Sequence, residues 1–531
     1  MKATNRDIIL TSLALLMSML AAEAQTAPEV PRLVVNVVID QLRTDYMDAF
    51  SPLYSDRGFH RLMQHGRVYA QAEYPFSGPD RASAVACLMT GAVPYENGIV
   101  ARRWLNRQTL QPIGCVDDAA YTGYFTQEKV APSNLAVSTL TDELKVATEG
   151  KALVYSIAPN SEAALFLAGH AANSAFWLDD QTGQWCTTSY YGTVPTWLAN
   201  YNGEEHIAQR IGNIRWEPSN SYVGEFNYFV SGETRKPFRH QFKGDRRFGQ
   251  FKASALVNEE VNDFVRHLLL NSALGIDPIT DFLGVTFYAG NFDHKTVAEY
   301  PMEMQDTYVR LDQQLARLID MVEERVGAEH VLFVVTGTGY SDTEQTEDNL
   351  SRYRIPTGEF SITRAKMLLN MYLCAVYGDG QYIEASMGNQ LYFNLKLIEN
   401  KGFNLSEVLE RSAGFLIQLT GVRDVYTSQR LAQGAWTAGI RNIRNAYNPK
   451  CSGDILVQVA PGWKLVNEQT REQRQQRESY MGFPLFFYGL DIQPEIVKEP
   501  VSVDHVAPTL AHCMRIRAPN ACSASPLTGI R

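Results

Sequence analysis

Four stretches of this chain are nearly continuous runs of apolar, often β-branched residues: "RLVVNVVID" (32–40), "ALVYSIA" (152–158), "FLGVTFYA" (282–289) and "VLFVVTG" (331–337). A strand with one wet face alternates polar and apolar residues. Strands without alternation need cover on both faces, as in a parallel sheet sandwiched by helices. The intervening "DTYVRLDQQLARLIDMVEERVG" (306–327) supplies such cover: Leu311, Leu315, Leu318 and Val322 recur at helical spacing, and Gly327 is the expected stop. Strand, helix and strand in this order define an α/β chain with a mostly parallel sheet. "PLFFYG" (484–489) reads as a late strand, and "DHVAPTLAHCM" as a helix with Asp504 near its start. Ligand sites in such sheets lie past the carboxyl ends of strands. "VLFVVTGTGYSD" (331–342) is therefore informative, because it offers Thr336, Gly337, Thr338, Gly339 and Tyr340 where an enzyme often places a carboxylate or histidine.

The 531 residues, 45% hydrophobic and 20% charged, provide ample core, and a net charge of −10 argues against a nucleic-acid partner. Residues 1–24 read as a secretory signal, with Lys2 and Arg6 before the apolar "IILTSLALLMSMLAA" and small residues ending at Ala24. The expected product is a periplasmic or secreted chain, 25–531, without a membrane span after cleavage. No pair among the seven cysteines has CxxC spacing; Cys513 and Cys522 are the candidates for a disulfide, and Cys87 in "AVACLM" reads as a buried free thiol. Residues from about 160 to 275, rich in Trp, Tyr, Asn and Gly, read as a cap inserted into the sheet domain. A second inserted α+β lobe is expected from about 345 to 450.

The segments "LVVNVVIDQLRTDYM", "LMTGAVPYENGI", "PSNLAVSTLTDELKVAT", "AGHAANSAFWLDDQTG", "EMQDTYVRLDQQLARLID" and "VDHVAPTLAHC" together resemble the alkaline phosphatase superfamily. The resemblance is to its exported, monomeric branch with a threonine nucleophile, and it runs from about residue 32 to 525. It implies an alkaline-phosphatase-like fold and a phosphomonoesterase in which two zinc ions clamp the attacking and leaving oxygens.

Carried onto this chain residue by residue, the family's site is largely substituted. Its first metal-binding aspartate is retained as Asp40. The nucleophile slot holds Arg81, with Ser77 and Ser83 as nearby hydroxyls. The phosphate-contacting asparagine becomes Arg102, and the Lys-x-Arg clamp becomes Asn160-Ser161-Glu162. The Asp-x-x-x-His ligand pair becomes Asn291 and Lys295. The Asp-His pair becomes Thr338 and Gly339, and the last histidine becomes Gly482. Of six ligand slots only Asp40 survives, and one carboxylate does not hold two metals.

The resemblance thus implies a pseudo-phosphatase without a cofactor, acting as a binding or assembly protein toward a protein partner or a small anion. The rival reading is an active phosphate- or sulfate-ester hydrolase with a remodelled zinc site, in which Asp293 and His294 serve as displaced ligands beside Asp40. Asp342 and Glu344 read more simply as solvated loop residues, and His170 as a structural hydrogen-bonding group. Arg81, Arg102 and Lys295 bring cations toward Asp40, either to neutralise it or to form an anion pocket.

Overall fold

The computed structural model describes residues 30–204, 207–223, 237–297, 299–341, 356–434, 437–467, 472–475 and 481–530. The expected signal sequence, Asp342 and Glu344 lie outside the described residues. At the centre is an eleven-stranded sheet. Leu33–Asp40 is its middle strand, parallel to Asp281–Tyr288 on one side and to Val331–Gly337 on the other. Val154–Ala158 and Ser174–Leu178 continue the parallel part outward.

The apolar runs are continuous because both faces are covered. Val35, Val37 and Ile39 pack in one core with residues of the helices Thr44–Phe50, Val257–Asn271 and Pro301–Val326. Val34 and Val38 pack in another, with the helices Arg81–Thr90, Leu140–Ala147, Ser161–Ala168 and Val506–Cys513. The helix expected before Gly327 runs Pro301–Val326, and Gly327 ends it at φ 96°, where a residue without Cβ is favoured.

The late strand Phe483–Gly489 belongs to the sheet, as expected, and is antiparallel to both neighbours, Val331–Gly337 and Arg67–Glu73. Two bounds need correction. The expected cap at 160–275 is too long: Ser174–Leu178 and Trp185–Thr188 are strands of the central sheet. At its far end, Asn258 holds Tyr288 by two hydrogen bonds, fixing the helix Val257–Asn271 to the sheet. The inserted lobe, for its part, extends past 450. Its four-stranded sheet places Ile455–Val459 between Gln390–Phe393 and Val422–Thr427, and Trp463–Asn467 pairs with Gly358–Ser361. This lobe has its own apolar core. It is tied to the main domain by Arg107 with Asp454, and by Asn442 and Asn445, which bond the backbone at Ser77 and Pro75.

Among the described residues no helix is long and apolar enough to cross a membrane. All seven cysteines are free, so the expected Cys513–Cys522 bridge is absent. Cys513 is buried in the core, whereas Cys522 is partly exposed and lies against Gly91, where an added Cβ would stand 2.6 Å from its Sγ.

Candidate functional site

The sheet register brings the critical positions to one edge. Asp40 pairs with Tyr288 and Ile39 with Gly337, so Asp40, Thr338 and the turn at Asn291 all follow the carboxyl ends of adjacent strands. Asp40 is 1% exposed. Its Oδ1 accepts the Thr338 hydroxyl at 3.0 Å, while Oδ2 accepts Arg81 Nη1 at 2.8 Å and the Tyr340 hydroxyl at 3.3 Å. Thr338 Oγ1 in turn accepts the backbone N–H of Gln41 at 3.0 Å.

Arg81 is the first residue of its helix. Asp80 caps that helix through a reciprocal box with Ser83 and also accepts the Arg102 N–H. From this fixed position the Arg81 guanidinium spans two carboxylates. Nη1 goes to Asp40, and Nε and Nη2 both donate to Glu162 Oε1, at 3.1 and 2.7 Å. Burial opposes a charge on Arg81, but Glu162 and Asp40 more than offset it and hold the guanidinium firmly protonated. Burial likewise works against ionised Glu162; the charges of Arg81 and Arg102 overcome it and bring the carboxyl down to about 2 from its ordinary 4.5. The centre of the site is thus a buried carboxylate–guanidinium–carboxylate triad.

Because the folded value for Glu162 lies below the unfolded one, its contribution is present above pH 4.5 and lost as pH falls toward 2. The wild type should lose on the order of 3 kcal/mol from this group across that window. Glu162→Gln should decline less steeply there, which urea titrations at pH 5, 4 and 3 will measure.

The remaining expected site residues are placed as follows. Ser83 spends its hydroxyl on Asp80, and Ser77 is solvent-exposed. Arg102 is exposed and contributes charge near Glu162 without an ion pair among the described residues. Asn160 precedes the helix Ser161–Ala168 without a side-chain capping bond. Asn291 is buried and turns its amide onto the Thr296 carbonyl. Gly482 bonds through its carbonyl to the Thr44 N–H.

Lys295 and the candidate ligands Asp293 and His294 have other neighbours. Lys295 is half-exposed and pairs with Glu299, four residues on, at 3.3 Å. Asp293 faces Arg246 at 2.7 Å and Gln250, and His294 packs edge-on to Tyr288. Both sit in a turn at positive φ (47° and 56°). Neither hydrogen-bonds to Asp40. His170 is structural, as expected: Asp142 and the Leu135 carbonyl hold its two ring nitrogens, and the Asp142 bond raises its pKa.

Sequence reasoning missed Tyr340 and Thr338 as partners of Asp40, and Glu162 as the second arm of Arg81. One signal was available: the nucleophile slot gained a cation while the clamp slot gained an anion, a reciprocal exchange of sign. Among the described residues no group of three or more His, Cys, Asp or Glu side chains converges as a metal ion requires. The geometry offers an ion pair, two hydroxyls and a peripheral guanidinium.

A mostly parallel sheet covered by helices on both faces, with the candidate site at its strand ends, is an alkaline-phosphatase-like architecture. The chain belongs to the type I phosphodiesterase / nucleotide pyrophosphatase family, whose profile matches residues 34–481. It is 26% identical over 532 residues to the alkaline phosphatase PafA of Elizabethkingia meningoseptica, covering 96% of each chain. A protein of Myroides odoratus named calcium-transporting ATPase is 28% identical over 522 residues, 94% of each. The crystal structure of wild-type PafA has the same fold, with a TM-score of 0.81 at 23% identity over 95% of this chain and 100% of that one.

Proposed function

We propose that this protein is an exported pseudo-phosphatase, a member of the superfamily that keeps the fold and acts by binding rather than by metal-dependent hydrolysis. The observation that carries the reading is the commitment of Asp40. As the retained ligand slot, it would have to turn a free carboxylate toward a metal; it is instead held by Arg81, Thr338 and Tyr340. A guanidinium at 2.8 Å repels a cation approaching the same oxygen. The other slots, Asn291, Lys295, Thr338, Gly339 and Gly482, supply no thiolate, imidazole or carboxylate. These residues do not fit two zinc ions.

The rival reading needs Asp293 and His294 to serve a metal beside Asp40. The pairing of Asp293 with Arg246 speaks against it. An anion at the centre is also disfavoured, because Arg81 already directs its donors to two carboxylates. Arg102 remains the cation available to a small anionic partner at the rim. Export rests on residues 1–24 and predicts a mature chain beginning at Gln25.

The test uses mature protein from the periplasm or medium, loaded with zinc and then desalted. Atomic emission should find well under one zinc per chain, and p-nitrophenyl phosphate hydrolysis should be the same for wild type and Asp40→Ala. Stoichiometric zinc, with a rate abolished in Asp40→Ala, would overturn the proposal.

A further inference from the structure

The loop between the helices Thr44–Phe50 and Phe59–His65 is fastened at several points. In the short turn Ser51–Leu53, the Ser51 carbonyl accepts the Tyr54 N–H. Ser55 donates both its N–H and its hydroxyl to Oδ2 of buried Asp312, at 2.8 and 2.7 Å. The Phe59 N–H donates to Oδ1 of the same carboxylate at 2.7 Å. Gly58 permits this close approach, because an added Cβ would collide with the Asp312 side chain. The chain is thus held against the helix Pro301–Val326 and brings His60 back to Ser51.

Ser51 Oγ lies 2.9 Å from His60 Nε2, and Asp56 Oδ1 lies 3.9 Å from Nδ1 of the same ring. With the Nδ1 proton directed at the carboxylate, Nε2 is left to accept the Ser51 hydroxyl. Tyr54 packs edge-on against the imidazole, with centroids 6.0 Å apart. Arg57 is paired with Asp320, so it does not compete for Asp56, whose ion pair among the described residues is with His60. Hydroxyl, imidazole and carboxylate in this order are the parts of an activated nucleophile. The 3.9 Å separation is longer than a hydrogen bond, as such contacts often are before substrate is bound. Ser51 and His60 are half-buried and Asp56 is exposed, so the hydroxyl is within reach of a ligand from solvent.

We propose that Ser51 is a nucleophile toward activated carboxylic esters, with His60 as its general base and Asp56 stabilising the imidazolium. Ser51 Oγ bonds to the acyl carbon as its proton passes to His60 Nε2, and an aryloxide leaves with the electron pair of the broken C–O bond. The imidazolium then releases its proton to the aryloxide. In the second step His60 takes a proton from the water that attacks the acyl-serine, and returns it to Ser51 Oγ as the carboxylic acid departs. Each ester consumes one water. Aryl esters are the fitting class because their leaving group is stable as an anion before it is protonated. Asp56 and Asp48, exposed and one turn before Ser51, surround the hydroxyl with negative charge. The substrate is accordingly an uncharged or cationic ester, and an anionic one is repelled. No group of the Asp40 site takes part, so the zinc and phosphate-ester measurements have no bearing on this activity.

The full mature chain, treated with chelator and mixed with p-nitrophenyl acetate, should release p-nitrophenol, and peptide mass spectrometry of acid-quenched samples should find the acetyl group on Ser51. Ser51→Ala should remove that acetyl and slow release at least about 10-fold, and His60→Gln about 100-fold, the usual worth of a general base. Asp56→Asn should slow it about 3-fold, an effect that disappears at high salt because Asp56 is exposed. Ser51→Cys should still be acetylated at position 51, an outcome that a merely structural hydroxyl does not give. The anionic p-nitrophenyl hemisuccinate should react at least about 3-fold more slowly than the acetate. Acetyl groups confined to lysines, or a rate indifferent to His60→Gln, would overturn the proposal. So would a rate unchanged in Ser51→Ala, which would mean that the imidazole reacts with the ester directly.

Discussion

Replacing Arg81 with methionine should be the most destabilising single change at the site, at about 3–5 kcal/mol at pH 7, the usual cost of stranding one partner of a buried ion pair. Two carboxylates lose their cation at once: Asp40, with a side chain 2% exposed, and Glu162, at 14%. The hydroxyls of Thr338 and Tyr340 still reach Asp40, but they donate hydrogen bonds without neutralising charge. The stranded carboxyls should therefore take up protons near neutral pH. Relative to wild type, Arg81→Met should recover part of its deficit as pH falls from 7 to 5, opposite in sign to the acid loss expected from Glu162 in the intact triad. The combined variant Arg81→Met/Asp40→Asn/Glu162→Gln should regain most of the stability, since replacing every charged member of a buried network costs far less than removing one. Guanidinium titrations of the three proteins at pH 5 and 7 measure this. A single variant within about 0.5 kcal/mol of wild type would mean that water solvates the site and the triad is incidental.

Much of the frame was legible because it rests on burial. Leu33–Asp40 and Val331–Gly337 are covered on both faces, so their residues had no reason to alternate, and the strands could be read almost to the residue. Gly327 marked the helix end through its backbone freedom. The cap boundary was obscured by composition. Ser174–Leu178 and Trp185–Thr188 carry Trp, Ser, Thr and Cys in place of an aliphatic run, and two further strands of the sheet looked like part of an insertion.

At the site, Asp40 could be placed at a strand end from the sequence, but its full set of partners depended on side-chain direction. Lys295 was expected to point inward; Glu299 lies four residues on, a local pairing readable in the sequence that took precedence over the long-range one. Cys513 and Cys522 are close in sequence yet face different surroundings, which spacing alone does not encode.

Restoring the superfamily's Asp-His pair by Thr338→Asp/Gly339→His should yield a less stable protein that still binds no zinc. Thr338 makes two bonds, of which an aspartate can reproduce only one: it accepts the Gln41 N–H and donates to Asp40. A carboxylate there can still accept the first, but it brings a second negative charge against Asp40, which Arg81 already shares with Glu162. At Gly339, φ is 70°, and an added Cβ would lie 2.8 Å from Tyr74 Cδ2 and 3.0 Å from Phe483 Cε1. The Tyr74 and Phe483 rings are stacked, and Tyr74 is anchored through its hydroxyl to the Gly337 carbonyl at 2.9 Å, so they yield little. Left-handed backbone and overpacking together should cost roughly 2–5 kcal/mol before the charge repulsion is counted. Zinc binding would return that energy only if the donors formed a site. They do not, because Asn291, Lys295 and Gly482 still leave the coordination incomplete and Arg81 still occupies Asp40. Calorimetric titration with zinc should therefore show no saturable heat, and the melting temperature of the double variant should stay depressed in excess zinc. Two tightly bound equivalents, with the melting temperature restored, would mean that this pocket keeps metal donors at other positions and that the pseudo-phosphatase reading fails.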